Sequence, residues 1–289
     1  MGERRRSGAA IAVLVLAGAA AVYGSHLWSE RAAPPPPSGE CTATHDTATH
    51  TLDAEQAHNA ALIAAASARL GMPARAATIG IATALQESSL RNIDYGDRDS
   101  VGLFQQRPSQ GWGTVAEILD PYYSTDTFYR ALARVDGWQD MEVTVAAQTV
   151  QRSAFPDAYA TREAAARLWA SALRGYSGAL TVDCDVSAGG GTTARAFADR
   201  VATDFGPGVY DVRVLRTGGE ELWVDVVARD DAGAASLAAW AVAVAGQESV
   251  ESVVNGGAAW ERGRGMVDAE APEGATGVAV RLAPLPVEG

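Results

Sequence analysis

Cys41 and Cys184 are the only two cysteines in a chain of 289 residues. Outside the cytoplasm two cysteines usually pair. Pairing these two would bring their Cα atoms to about 4.4–6.8 Å from each other. Closing so long a loop removes unfolded-state entropy worth roughly 4–5 kcal/mol. Two unrelated buried thiols are the alternative.

The N-terminus suggests the compartment. Arg4, Arg5 and Arg6 precede a run from Ser7 to Ser29 without Asp, Glu, Lys or Arg. As a helix its 23 residues would rise about 34 Å, enough to span a bilayer. Arginines stay on the cytoplasmic side, so the remainder is expected outside. Residues 1–31 are expected to be a single transmembrane anchor or, with Ala17 to Ala21 as a cleavage region, a signal segment. The expected location is the cell membrane, single-pass with the bulk extracytoplasmic, or secretion after cleavage. Residues 32–52 hold Pro34-Pro35-Pro36-Pro37 and a Thr-rich stretch, and read as a linker.

Composition narrows the partners. The chain is 47% hydrophobic and 20% charged, as globular proteins are, and its net charge is −12. No Lys occurs, which is read as high-GC coding bias rather than chemistry. Nucleic acid needs a basic footprint and is excluded as the main partner. His45, Asp46 and His50 match no ligand spacing, so neither a metal nor another cofactor is expected. One span without a His/Cys cluster argues against a transporter.

From Asp53 the pattern turns helical. Asp53 with Gln56, and Thr114 with Glu117, are capping-box pairs. Gly71 stops the first helix and Pro73 opens the second, which runs through Ile79, Ala82 and Leu85 to Glu87. Residues 41–184 are expected to be all-α. Residues 186–193, with Gly189-Gly190-Gly191, read as a flexible linker. Residues 194–289 read as a separate α+β domain. Its expected elements are a helix from Ala194 to Phe205, strands at Val209–Leu215 and Leu222–Val227 around Gly218-Gly219, a helix at Ala234–Ala245, and strands at Val250–Val254 and Gly277–Leu282.

The chemistry concentrates between Gln86 and Pro108. Gln86-Glu87-Ser88-Ser89-Leu90 is followed by Gly102-Leu103-Phe104-Gln105 and Pro108. Gly102 follows Glu87 by fifteen residues, Gln105 by eighteen and Pro108 by twenty-one. This resembles the lysozyme-like superfamily, specifically the soluble lytic transglycosylase domain. The resemblance implies a mostly α lysozyme-like domain over 53–185. The whole fold expected is that domain plus a small α+β C-terminal domain, behind the single N-terminal transmembrane helix. The family's Ser nine residues after the Glu is Gly96 here, and its Ala-Tyr-Asn-Ala-Gly motif is absent near Gln148 and Gln151.

A glycosidic oxygen leaves poorly until protonated, so a carboxyl near the negative pole of a helix C-terminus is a suitable acid. Glu87 is the candidate catalytic acid. In the family that it resembles one Glu first donates a proton and then serves as base toward the sugar's own 6-hydroxyl. The expected function is therefore peptidoglycan cleavage at the MurNAc–GlcNAc β-1,4 linkage. Asp94, Asp97 and Asp99 are candidates for the second carboxylate of a hydrolytic muramidase. Gln105, Phe104 and Trp112 are candidate substrate contacts, as Tyr122, Tyr123 and Trp138 are for stacking on sugars. The resemblance adds Tyr159, Gln148 and Gln151. A catalytically weak wall-binding or scaffold module is the rival. Expected partners are peptidoglycan glycan strands, the membrane through the N-terminal helix, and proteins through residues 194–289.

Overall fold

The Thr-rich stretch ahead of Asp53 forms a β-hairpin. β1 (Gly39–His45) pairs antiparallel with β2 (Ala48–Asp53). Cys41, Ala43 and Leu52 point inward, while Thr42 and Thr51 face out and share a hydroxyl hydrogen bond of 2.8 Å. Thr is polar in composition but β-branched, and it suits a half-exposed strand. The computed structural model describes residues 38–152, 156–215 and 221–285. The anchor expected at 1–31 and the turn at Gly218-Gly219 lie outside the described residues.

β3 (Val182–Val186) joins the other side of β1, with Cys41 directly opposite Cys184. The two are disulfide-bonded, with Cα atoms 4.0 Å apart, closer than the expected window. The register explains the difference. The 38–187 and 44–181 positions carry backbone hydrogen bonds. Pairs alternate along an antiparallel ladder, so Cys41–Cys184 is a non-hydrogen-bonded pair, the closer of the two kinds.

Helices α1 (Ala54–Arg69) and α2 (Ala74–Ser88) follow. Asp53 and Gln56 form the capping box of α1, and Pro73 is the N-cap of α2. Both helices are rich in Ala, whose small side chain lets backbones approach. A Cβ at Gly80 would lie 2.6 Å from the hydroxyl of Tyr129, which donates to the Ile63 carbonyl at 3.0 Å. The short α3 (Val115–Leu119) packs on α4 (Pro121–Leu132), and α4, α5 (Val143–Gln151) and α6 (Glu163–Leu173) pack around α2. Thr114 and Glu117 cap α3 reciprocally.

The C-terminal part opens with α7 (Ala194–Phe205). It then supplies β4 (Asp211–Leu215), β5 (Leu222–Val227), α8 (Asp231–Ala243), α9 (Ala245–Glu248), β6 (Val250–Asn255), β7 (Ala258–Glu261), β8 (Gly265–Asp268) and β9 (Val278–Leu282). The sheet order is β4-β5-β9-β6-β7-β8, all antiparallel. Among the described residues there are nine helices and nine strands in two antiparallel sheets, and none of those helices is long and apolar enough to cross a membrane.

This overturns the expected fold of a mostly α lysozyme-like domain with a small appended α+β domain. Pro37–Gly289 is one compact unit. The physical reason is α8. It is apolar around its whole circumference, and such a helix must be covered on all sides. On one side Ser236 donates to the Leu173 carbonyl at 2.6 Å, and a Cβ at Gly175 would lie 1.9 Å from the Ala232 carbonyl oxygen. The hydrophobic core consequently runs unbroken from Cys41 to Leu282. Gly189 and Gly191 are not a loose tether either. A Cβ on Gly189 would meet the Ser249 hydroxyl at 2.3 Å, and one on Gly191 the Pro284 carbonyl oxygen at 2.4 Å.

A buried polar cluster pins the two parts together. The Asp204 side chain has no exposed surface. It accepts from the Tyr122 hydroxyl at 2.7 Å, from Arg200 at 2.9 and 3.1 Å, and from the Trp240 indole at 2.7 Å. Arg200 also binds Glu248 at 2.7 Å, and Arg69 donates to the Asp204 carbonyl at 3.2 Å. Beside them, burial and then the Arg200 charge push the His58 imidazole down to about 4.

That shift predicts a pH dependence. The folded value lies below the usual histidine value of about 6.5, so the unfolded chain takes up the proton first. Stability should fall as pH drops from about 6.5 to about 4, by at most roughly 3 kcal/mol. Burial pushes the Glu248 carboxyl up, which acts in the opposite sense, so the His58 contribution needs its own variant. Urea unfolding at pH 7 and pH 4.5 should show a smaller loss in His58→Gln than in the unmodified chain. Equal losses would contradict the assignment.

Candidate active site

Glu87 is the penultimate residue of α2, half-buried, and the chain leaves the helix abruptly behind it. Ser89 and Leu90 are both left-handed, with φ of 56° and 58°. Each such non-glycine residue costs about 1–2 kcal/mol and persists only where its surroundings hold it. Gln56 donates to the Ser89 carbonyl at 2.9 Å and Asn59 to the Leu90 carbonyl at 2.7 Å. The Leu90 side chain is fully buried, and Arg91 pairs with Asp53 and Glu55. The start of α1 thus clamps the end of α2.

Ser88 joins the two halves of the motif. Its hydroxyl donates to the Leu103 carbonyl at 2.7 Å and lies 3.2 Å from the Ala84 carbonyl. Leu103 belongs to a tight turn closed by paired hydrogen bonds between Val101 and Gln106. Gly102 enters this turn with φ of 79°, and a Cβ there would lie 2.8 Å from the Ile118 carbonyl oxygen. The Glu-Ser and Gly-Leu-Phe-Gln segments are therefore one mechanical unit.

Tyr159 completes the immediate site. It is fully buried, and its hydroxyl donates to Glu87 Oε1 at 2.5 Å across 72 residues of sequence. Nearby, Arg162 donates to the Gln86 side chain at 3.2 Å. The arrangement holds one carboxyl oxygen of Glu87 by a phenolic donor at a helix end.

The other candidates divide. Phe104 is fully buried and stacks on Phe128 at 4.5 Å, so its ring belongs to the core; its carbonyl accepts from Gln151 at 2.8 Å. Gln105 is left-handed, with φ of 47°, and its amide donates to the Tyr95 carbonyl at 3.1 Å. It occupies the space a side chain at position 96 would need: a Cβ on Gly96 would lie 1.9 Å from Gln105 Oε1. A side chain at position 96 would therefore have to displace Gln105. Gln148 is half-buried on α5, one turn before Gln151.

Asp94 and Asp97 are exposed, and Asp97 lies 3.9 Å from Arg98. Asp99 is engaged elsewhere. It accepts from the Ser109 backbone N–H at 2.7 Å, from Arg107 at 2.9 Å and from the Ser109 hydroxyl at 3.0 Å. The Ser109 N–H first, and then Arg107, hold its carboxyl well below the usual carboxylate range. Tyr122 is used by Asp204, and Trp138 is buried.

Trp112 and Gln151 line a groove of about 1030 Å³ that also takes in Tyr123, Arg130, Arg134 and Arg152. The Tyr123 hydroxyl donates to the Trp112 carbonyl at 3.2 Å. The three arginines escaped the sequence reading, because they follow no motif and every basic residue of the chain is Arg.

No protein-family model matches this chain, and comparison with curated proteins finds no match. The likeness to the transglycosylases rests on the motif residues themselves.

The packing at position 96 is testable. Gly96→Ser should cost about 1–3 kcal/mol in urea unfolding by displacing Gln105. Adding Gln105→Ala should recover part of that cost. A double variant as unstable as the sum of the singles would show that the two sites do not touch.

Proposed function

We propose that this protein is a lytic transglycosylase that cleaves the MurNAc–GlcNAc β-1,4 linkage of peptidoglycan, with Glu87 as its one acid and base. The observation that carries the reading is the 2.5 Å hydrogen bond from Tyr159 to Glu87 at the end of α2. Glu87 gives its proton to the glycosidic oxygen, and the bond from that oxygen to the anomeric carbon breaks. The carboxylate then takes the proton of the MurNAc 6-hydroxyl, whose oxygen bonds to the anomeric carbon. Glu87 ends protonated, no water is consumed, and the product is a 1,6-anhydro ring. Tyr159 acts as a positioning donor that keeps the carboxyl aimed through both transfers.

A hydrolytic reading requires a second carboxylate to activate water. The engagement of Asp99 by Ser109 and Arg107 speaks against it in that role and favours the single-carboxyl route. The Cys41–Cys184 disulfide supports placing the reaction outside the cytoplasm.

Glu87→Gln keeps the shape but has no acidic proton to give. It should lower the rate of peptidoglycan solubilisation about 10²–10⁴-fold with the fold intact. Tyr159→Phe should lower kcat about tenfold to a hundredfold, the worth of one hydrogen bond to a charged group. Asp97→Asn should change the rate little. Wild-type cleavage by Glu87→Gln, in a preparation free of other lysins, would overturn the proposal.

A further inference from the structure

The groove beside Gln151 gathers positive charge in a chain whose net charge is −12. Arg130, Arg134 and Arg152 line it, and Asp136 is its acidic lining residue. All three arginines are exposed. Arg130 contacts Asp126 at 3.4 Å, but Asp126 is already held more closely by Arg69, at 2.7 Å. Among the described residues, neither Arg134 nor Arg152 takes part in an ion pair. An acidic protein that leaves guanidinium groups unneutralised in one concave surface can attract a carboxylate there, and the planar fork of Arg matches a carboxylate in two parallel hydrogen bonds.

Two further features narrow the occupant. Trp112 and Tyr123 line the same groove, and Gly113 gives Tyr123 its place: a Cβ there would lie 2.8 Å from the Tyr123 hydroxyl. Aromatic faces suit sugar rings or the apolar side of a peptide. The groove and the acid share the 101–106 turn as a common support. Gln151 lines it and donates to the Phe104 carbonyl, while Ser88, next to Glu87, donates to the neighbouring Leu103 carbonyl. One wall of the groove and the helix end that carries Glu87 are thus hydrogen-bonded to neighbouring residues of the same turn.

We propose that this groove binds the carboxylate-bearing peptide side chains of the glycan strand, with Arg134 and Arg152 as the principal contacts. The assignment rests on the glycan-cleaving reading of Glu87. It makes the enzyme selective for strands that still carry acidic peptides.

Titration calorimetry on the full chain carrying Glu87→Gln separates binding from turnover. One probe is a peptidoglycan tetrasaccharide with free peptide carboxylates. The other is the same compound with those carboxylates converted to methylamides. The free acid should bind about tenfold more tightly, the worth of two solvent-facing ion pairs. Adding Arg134→Gln and Arg152→Gln should abolish the preference. Equal binding of the two probes, a preference that survives the double substitution, or no binding of either would overturn the assignment. Each of those results leaves the cleavage test of Glu87 standing on its own, since that test reads rate rather than affinity.

Discussion

A carboxylate with no exposed surface destabilises a protein unless donors surround it, and Asp204 draws them from three helices. Tyr122 comes from α4, Arg200 from α7 itself and Trp240 from α8, while Arg69 of α1 holds its carbonyl. Removing any one partner leaves a buried charge short of a hydrogen bond. This makes the relative placement of α1, α4, α7 and α8 steep in energy rather than adjustable. Phe205, edge to face with Trp240, and Phe197, tilted against it, add to that constraint.

Fixing α1 fixes the site. The same helix that donates Arg69 to the cluster presents Gln56 and Asn59 at its other end, where they hold the carbonyls of Ser89 and Leu90. Those left-handed residues stop α2 one residue after Glu87, so the carboxyl lies at a helix terminus instead of along a buried face. Ser88 then ties the helix end to the turn at Leu103. Glu87 is held from behind by α1, from the side by the 101–106 turn, and at one oxygen by Tyr159. The proposed role of Glu87, giving up and then taking back a proton, would draw on such rigidity, since misplacement of a reacting atom is costly.

Local signals in the sequence were read well where a short-range mechanism produced them. The Asp53–Gln56 and Thr114–Glu117 boxes, the Ala194–Phe205 helix and the cysteine pair are all in place. Long-range packing was not legible. Thr42 to Thr51 looked like linker because polar composition does not separate a half-exposed strand from a tether. Gly189 and Gly191 looked flexible because glycine serves equally for freedom and for close approach. The turn at Asn255-Gly256-Gly257, with both glycines at positive φ, carried a hairpin signal that would have revealed β7. At the site Ser88 and Leu103, fifteen residues apart, are hydrogen-bonded, whereas the burial of Phe104 and the engagement of Asp99 depend on partners outside the motif residues.

The chemistry of the cut tests the account most directly. Purified peptidoglycan digested with the full chain should yield muropeptides whose new ends are 1,6-anhydro sugars, one water lighter than free reducing ends, by mass spectrometry. That product follows from a single carboxyl serving as acid and then as base toward the sugar's own hydroxyl. Reducing ends would contradict it, and would require a water-activating carboxylate such as Asp94 or Asp97 beside Glu87.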